Sequence, residues 1–247
     1  MKPLVKTVVW LTVFSIAMGY LESAVVIYMR ELLYKGGFAF PVQPVSKLIL
    51  VTELGRELAT IIMLIGVGVM AGKTFAQRFV FFLYSFAIWD IFYYVFLKVL
   101  LNWPASIFDW DILFLLPVPW VGPVLAPFLI SLTMVLLMWL VLYLETKTEK
   151  VCFDKWVWLS FTGGSLVLIW SFCTDYVSIL QHKSNEPGVD MLSMMKSYIP
   201  EIYHWEIFWM GELLIVTGML QLYWGHVPAR RNLQEQSKPY DTSAFIR

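Results

Sequence analysis

Glu53, Arg56, Glu57 and Thr60 stand at i, i+3, i+4 and i+7, which places two carboxylates, a guanidinium and a hydroxyl on one helical stripe. The stretch around them is apolar. An ionisable side chain at membrane depth costs roughly 2.5–3.5 kcal/mol on insertion scales, so it turns toward the bundle interior and marks a site by default. Other apolar stretches repeat the pattern. Glu22 shares a stripe with Ser15, Gly19, Val26 and Arg30, and Asp90 shares a face with Tyr93 and Tyr94. Ser171, Asp175, Ser178 and His182 align, as do Glu201, Trp205, Phe208 and Glu212. Glu206 points about a third of a turn away, toward the headgroups.

These residue types allow three kinds of chemistry. Arg56 is expected to pair with Glu22, Glu53 or Glu57, because a planar guanidinium favours bidentate carboxylate contact. Glu53, Glu57 and Asp90 are then the candidate catalytic groups, as acid–base residues or cation ligands, with Arg56 orienting them. Glu22, Tyr93, Tyr94, Asp175, Trp205 and Glu212 are the candidate substrate-binding positions. Asp90 and Asp175 are also spaced to serve as a proton-sharing dyad. Glu201 and His204 form one Glu-x-x-His, the spacing of di-iron bundles, but those sites need two such motifs and this chain has three histidines in all. Glu201 and His204 stay as metal candidates, and a hard divalent cation held by carboxylates is the cofactor left open. The plainer reading is that Glu–Arg pairs act as polar glue between helices; the number of carboxylates exceeds what glue requires.

The elements that must position these groups follow from composition. The chain has 247 residues, 59% apolar or aromatic and 15% charged, against about 45–50% and about 25% in a soluble domain. Disorder is excluded, and a water-soluble enzyme core cannot hide so much apolar side chain. The eighteen basic and eighteen acidic residues cancel, so no basic excess points to nucleic acid. Six stretches have the length of a spanning helix: residues 7–29, 48–71, 76–99, 120–144, 156–180 and 202–225. Residues 1–6 look like the basic end of a signal peptide, yet the apolar run passes Met18 without a small-x-small cleavage site, so a retained first span is expected. Residues 226–247 read as a short polar tail. Cys152 and Cys173 fall in a polar connection and an apolar span, and are not expected to pair.

With both termini inside, eleven basic residues fall on the inner side and six on the outer, which favours that orientation. The acids of five spans then meet in the outer half of the bundle. Five of twelve prolines and three tryptophans crowd the stretch between spans three and four. Proline breaks helix, and irregular backbone at membrane depth survives only under protein cover or beside a water-filled cavity. Residues 102–121 are therefore expected to form a re-entrant or interfacial cap. Residues 66–74, GVGVMAGKT, fail as a phosphate loop because Val67 stands where the first glycine is needed. Gly68 and Gly72 instead suit close helix contact.

The segments WDIFYY (89–94) and PVPWVGPV (117–124) resemble those of uncharacterised prokaryotic polytopic integral membrane proteins. That resemblance implies a place in a prokaryotic inner, cytoplasmic, membrane and brings no activity, cofactor or site with it.

The expectation is an all-α transmembrane bundle of about six spans with one outward-facing carboxylate–arginine cavity. The leading functional expectation is a membrane-embedded enzyme acting on a lipid or amphiphilic substrate. A binding or transport subunit for a cationic small molecule comes second, and a scaffold subunit of a membrane complex third. The lipid bilayer is the expected partner, both termini are expected to be cytoplasmic, and the sequence sets no oligomeric state.

Overall fold

The computed structural model describes residues 2–34, 38–41, 43, 45–116, 118–148, 150–183 and 199–236. Among them are six helices and one hairpin: α1 (Lys2–Leu33), α2 (Lys47–Ala71), α3 (Phe75–Leu101), β1 (Trp110–Phe114), β2 (Trp120–Pro123), α4 (Leu125–Glu145), α5 (Lys155–Lys183) and α6 (Trp205–Gln236). Five of the six, α2 excepted, are long and apolar enough to cross a membrane. The expected helical membrane bundle is therefore the observed fold. α2 carries Glu53, Arg56 and Glu57 within little more than one turn, which dilutes its apolar character. It still runs the length of its neighbour α3.

Local chemistry sets the helix ends. Ser46 caps α2 by accepting from the Ile49 N–H, and Thr74 caps α3 by accepting from the Gln77 N–H. These side chains satisfy amides that the first turn leaves without partners. α3 stops at Asn102, whose φ of 54° is left-handed, a conformation asparagine tolerates well.

α3 is the central post: α1, α2 and α4 all pack on it, while α5 and α6 form a pair that joins the rest through α4 and β2. Small residues permit the closest approaches. A Cβ on Gly68 would sit 2.7 Å from the Phe82 amide nitrogen, and one on Gly164 would sit 2.9 Å from the Gly211 carbonyl oxygen. Between lipid-facing helices such small residues allow the van der Waals contact that drives association. The expected close contact at Gly68 and Gly72 is thus present.

The core is unevenly placed along the bundle. Its largest cluster joins Leu11 of α1, Val80 and Phe81 of α3, Leu137, Met138, Val141, Leu142 and Leu144 of α4, Phe161 of α5 and Leu222 of α6. Leu11 lies in the first third of α1 and Leu222 just past the middle of α6, so the cluster sits toward the end of the bundle where α1 begins. The opposite end is closed by the hairpin. Leu, Ile, Val and Trp side chains cover the outside, among them Leu21, Ile62, Met70, Trp139 and Leu166, the surface a helix shows to lipid rather than to water.

Several boundaries differ from the sequence reading, beginning with α1, which runs Lys2–Leu33 where 7–29 is the expected span. Residues 120–123 are strand, so the fourth span starts at Leu125 rather than 120; Pro127 is tolerated in the first turn of α4, and its ring would clash with the carbonyl of residue 123 if the helix began earlier. The sixth helix starts at Trp205 rather than 202, and it continues to Gln236 through what reads as a polar tail from residue 226. The remainder of that tail, 237–247, lies outside the described residues. The expected cap at 102–121 is a two-stranded antiparallel hairpin, with Trp110 opposite Pro123 and Asp111 opposite Gly122. Its entry is a tight turn in which Asp109 accepts from the amides of Ala105 and Ser106. A Cβ on Gly122 would lie 2.8 Å from the Phe172 ring, which shows how closely the hairpin rests on α5.

Candidate functional site

Helical periodicity and the hairpin together build one chamber at the end of the bundle away from the start of α1. Its volume is about 380 Å³, within the about 300–1,000 Å³ of small-molecule sites. The later turns of α1 and α3, the early turns of α2 and α4, the middle of α5 and the hairpin line it. The lining brings together Glu22, Glu53, Arg56, Glu57, Asp90, Tyr93 and Tyr94. Glu22 of the α1 stripe meets Arg56 of the α2 stripe, while Gly19 of the same α1 stripe packs on α3 and Arg30 turns to the hairpin.

Arg56 holds two carboxylates. Its Nη1 donates to Glu22 Oε1, and its Nε donates to Glu53 Oε2 at 2.8 Å. This joins α1 to α2, two helices that otherwise pack sparsely. Glu57, one position on, reaches past Arg56 to the hairpin, where the Leu115 N–H donates to both its oxygens at 3.0 Å. Asp90 of α3 is buried and accepts from Ser131 Oγ of α4 at 2.9 Å. Glu57 and Asp90 are thus held by neutral donors.

The hairpin contributes a second ion pair. Arg30 Nη2 donates to Asp111 Oδ1 at 3.1 Å, and both side chains are buried. The guanidinium lies 3.8 Å from the Trp103 ring centre and 4.4 Å from that of Phe38, cation–π contacts that help offset its desolvation. Tyr93 donates its hydroxyl to Asp111 Oδ2 at 3.4 Å. Burial pushes the Asp111 carboxyl above the usual carboxylate range, and the Arg30 guanidinium opposes that shift. Asp111 and Arg30 both line the chamber. Asp111 escapes a sequence reading because it sits in a proline-rich stretch where no helical period assigns a face. Arg30 shares Glu22's stripe, but it lies at the helix end and reads there as a basic residue of the outer connection.

Among the described residues, the chamber wall carries five carboxylates and two guanidiniums. Apart from Gln43, Ser131 and Ser165, the rest of the wall is apolar or aromatic, with Phe86, Trp89, Phe114, Trp120 and Phe172 prominent. α2 packs chiefly on α3 and α5 chiefly on α6, yet Leu50 of α2 and Ser165 and Ile169 of α5 line the same chamber.

The remaining candidates lie elsewhere. Glu212 is buried on α6 and accepts from Thr133 Oγ1 at 2.9 Å. Asp175 is 3.9 Å from His204 Nε2, so it faces the start of α6 and forms no dyad with Asp90. Trp205 packs with Tyr203, Phe208 and Trp209. None of these three lines the chamber. Glu201 and His204 precede α6, so their i, i+3 spacing has no helix to align it; His204 Nδ1 contacts Glu206 instead. Among the described residues no three His, Cys, Asp or Glu side chains are grouped to hold a metal ion. Cys152 and Cys173 are both free, one exposed and one buried, as expected.

No protein-family model, curated protein or solved structure matches the chain. The functional reading therefore rests on the chamber.

Proposed function

We propose that this chain is a membrane-embedded enzyme that takes a lipid or other amphiphile into the chamber and acts on it through Glu57 and Asp90. The observation that carries the reading is one wall with two characters: apolar and aromatic rings beside two carboxylates that only neutral donors hold. An apolar chain fits the first and a polar head meets the second. Carboxylates in such surroundings are suited to taking and returning protons. Arg56 fixes Glu22 and Glu53 and so shapes the site without being its acid or base. α2 counts as the sixth span in this proposal, which places both termini on one side; the excess of basic residues on that side makes it the cytoplasmic one. The chamber then opens toward the outer leaflet.

The test is turnover. Purified protein is incubated with a total lipid extract, and products are followed by mass spectrometry. Native protein should convert a lipid component, and Glu57→Gln and Asp90→Asn should each abolish conversion while folding normally. Conversion that survives both substitutions would remove these residues from the chemistry.

A second reading is carriage of a cationic amphiphile. The observation that favours it is the surplus of carboxylates over guanidiniums on the chamber wall, since like charges in a dry site call for a counter-cation or a proton. A carrier should bind or move an amine-bearing amphiphile with no product formed.

A further inference from the structure

We infer that the chamber opens sideways into the bilayer at Ser165 of α5, and that its ligand is a membrane lipid whose chain passes out through this opening while its head stays among the carboxylates. The inference rests on the amphiphile reading above and adds the ligand's route and the residue that sets its width.

Among the described residues, the chamber wall is buried or half-buried at every position but two, Gln43 and Ser165. Gln43 belongs to the connection between α1 and α2. Ser165 lies within a span. The apolar part of α5 runs Lys155–Ser178, and Ser165 falls near its middle. At about 1.5 Å of rise per residue, Ser165 stands about 15 Å along the helix from Lys155, half the roughly 30 Å hydrocarbon thickness. Leu159, Thr162, Leu166 and Trp170 form the exposed stripe of α5. Ser165 stands at its edge, next to Leu166 and three residues after Thr162. A side chain that belongs both to the lipid-facing surface and to the chamber wall marks a break in that wall.

Helix packing agrees with that break. α5 packs on α6 and β2, and α2 packs on α3 and sparsely on α1, with no extended interface between α2 and α5. Yet Leu50 of α2 and Ile169 of α5 line the same chamber. Val51 and Leu58 of α2 and Leu166 and Trp170 of α5 are exposed, so the flanks of the opening are apolar. At mid-membrane depth such an opening meets lipid chains, and it suits methylenes rather than ions or polar heads, which would enter without partners. Serine is small enough to keep the opening clear, and a larger side chain at 165 would fill it. The volume of about 380 Å³ then has to hold only the head and the first part of a chain, because the rest stays in the bilayer.

The test closes the opening. The full chain is reconstituted in bilayers that contain phospholipids with choline, ethanolamine and glycerol heads, each with a diazirine midway along one chain. Adducts are mapped by mass spectrometry after illumination. In native protein they should form on Phe86, which lines the chamber from α3, and on outward-facing Ile62. Ser165→Trp should lower the Phe86 yield about tenfold relative to Ile62, the factor that a steric cost of overpacking size produces. Leu166→Trp puts similar bulk on the neighbouring exposed position, which does not line the chamber, and should leave the Phe86 yield unchanged. Should Ser165→Trp misfold, Ser165→Phe carries the same comparison. A Phe86 yield that survives the substitution at 165, or that falls equally in Leu166→Trp, would overturn the opening and leave the amphiphile reading standing. No adduct on Phe86 in native protein, with Ile62 labelled, would overturn both.

Discussion

Arg56 bears on two carboxylates at once, from α1 and from its own helix. Removing one partner of a buried pair costs more than the pair contributes, because charge is left behind without compensation. Arg56→Ala should therefore destabilise the bundle by about 3 kcal/mol, the lower end of that range, since the guanidinium side chain is 24% exposed. Thermal unfolding in detergent measures this. Arg56→Lys should recover only part of the loss, because an ammonium cannot reproduce the guanidinium's fork. At this scale the sequence was informative where a helical period applied. The stripes of Glu22 and of Glu53, Arg56 and Glu57 could be drawn from spacing alone, and Glu22 does meet Arg56 between the two helices. Asp111 could not be found that way. Nor could the fate of Asp175 and Glu212, whose depth suited the cavity but whose direction depends on how α5 and α6 pack together.

At the scale of elements, close helix contacts and the hairpin decide whether the chamber exists. Gly68 and Gly55 lie on the same helix and make opposite predictions. A methyl on Gly68 meets the α3 backbone, whereas one on Gly55 meets nothing within 4 Å. Gly68→Ala should destabilise by about 1–3 kcal/mol through overpacking. Gly55→Ala should be neutral or stabilising by up to about 1 kcal/mol through helix propensity. Thermal unfolding of the two variants side by side tests the α2–α3 contact. The hairpin itself was only half legible. Clustered proline and tryptophan excluded a regular helix and required protein cover, but nothing in them specified two strands or where α4 starts. Among the hairpin's polar attachments, Arg30 to Asp111 and Glu57 to Leu115 come from residues far apart in sequence.

At the scale of the whole molecule, orientation is the prediction. The start of α1 and the large core cluster share one end of the bundle, and the chamber occupies the other. Basic residues favour the inner side, so the chamber end should face outward. Native Cys152 is exposed in the connection between α4 and α5. It should resist an impermeant thiol reagent applied to intact cells. A cysteine placed at exposed Ile107, beside the hairpin and in a chain lacking both native cysteines, should react from outside. The reverse labelling pattern would invert the molecule in the membrane.

The chamber's claim on an amphiphile is tested most directly by photo-crosslinking. The protein is reconstituted in bilayers containing a lipid with a photoactivatable group on its chain, and the modified peptides are mapped by mass spectrometry. Adducts should fall on lining residues Leu50, Met134 and Ile169 as well as on outward positions such as Ile62 and Trp139. Adducts confined to the outward positions, with the lining unmodified, would contradict the account.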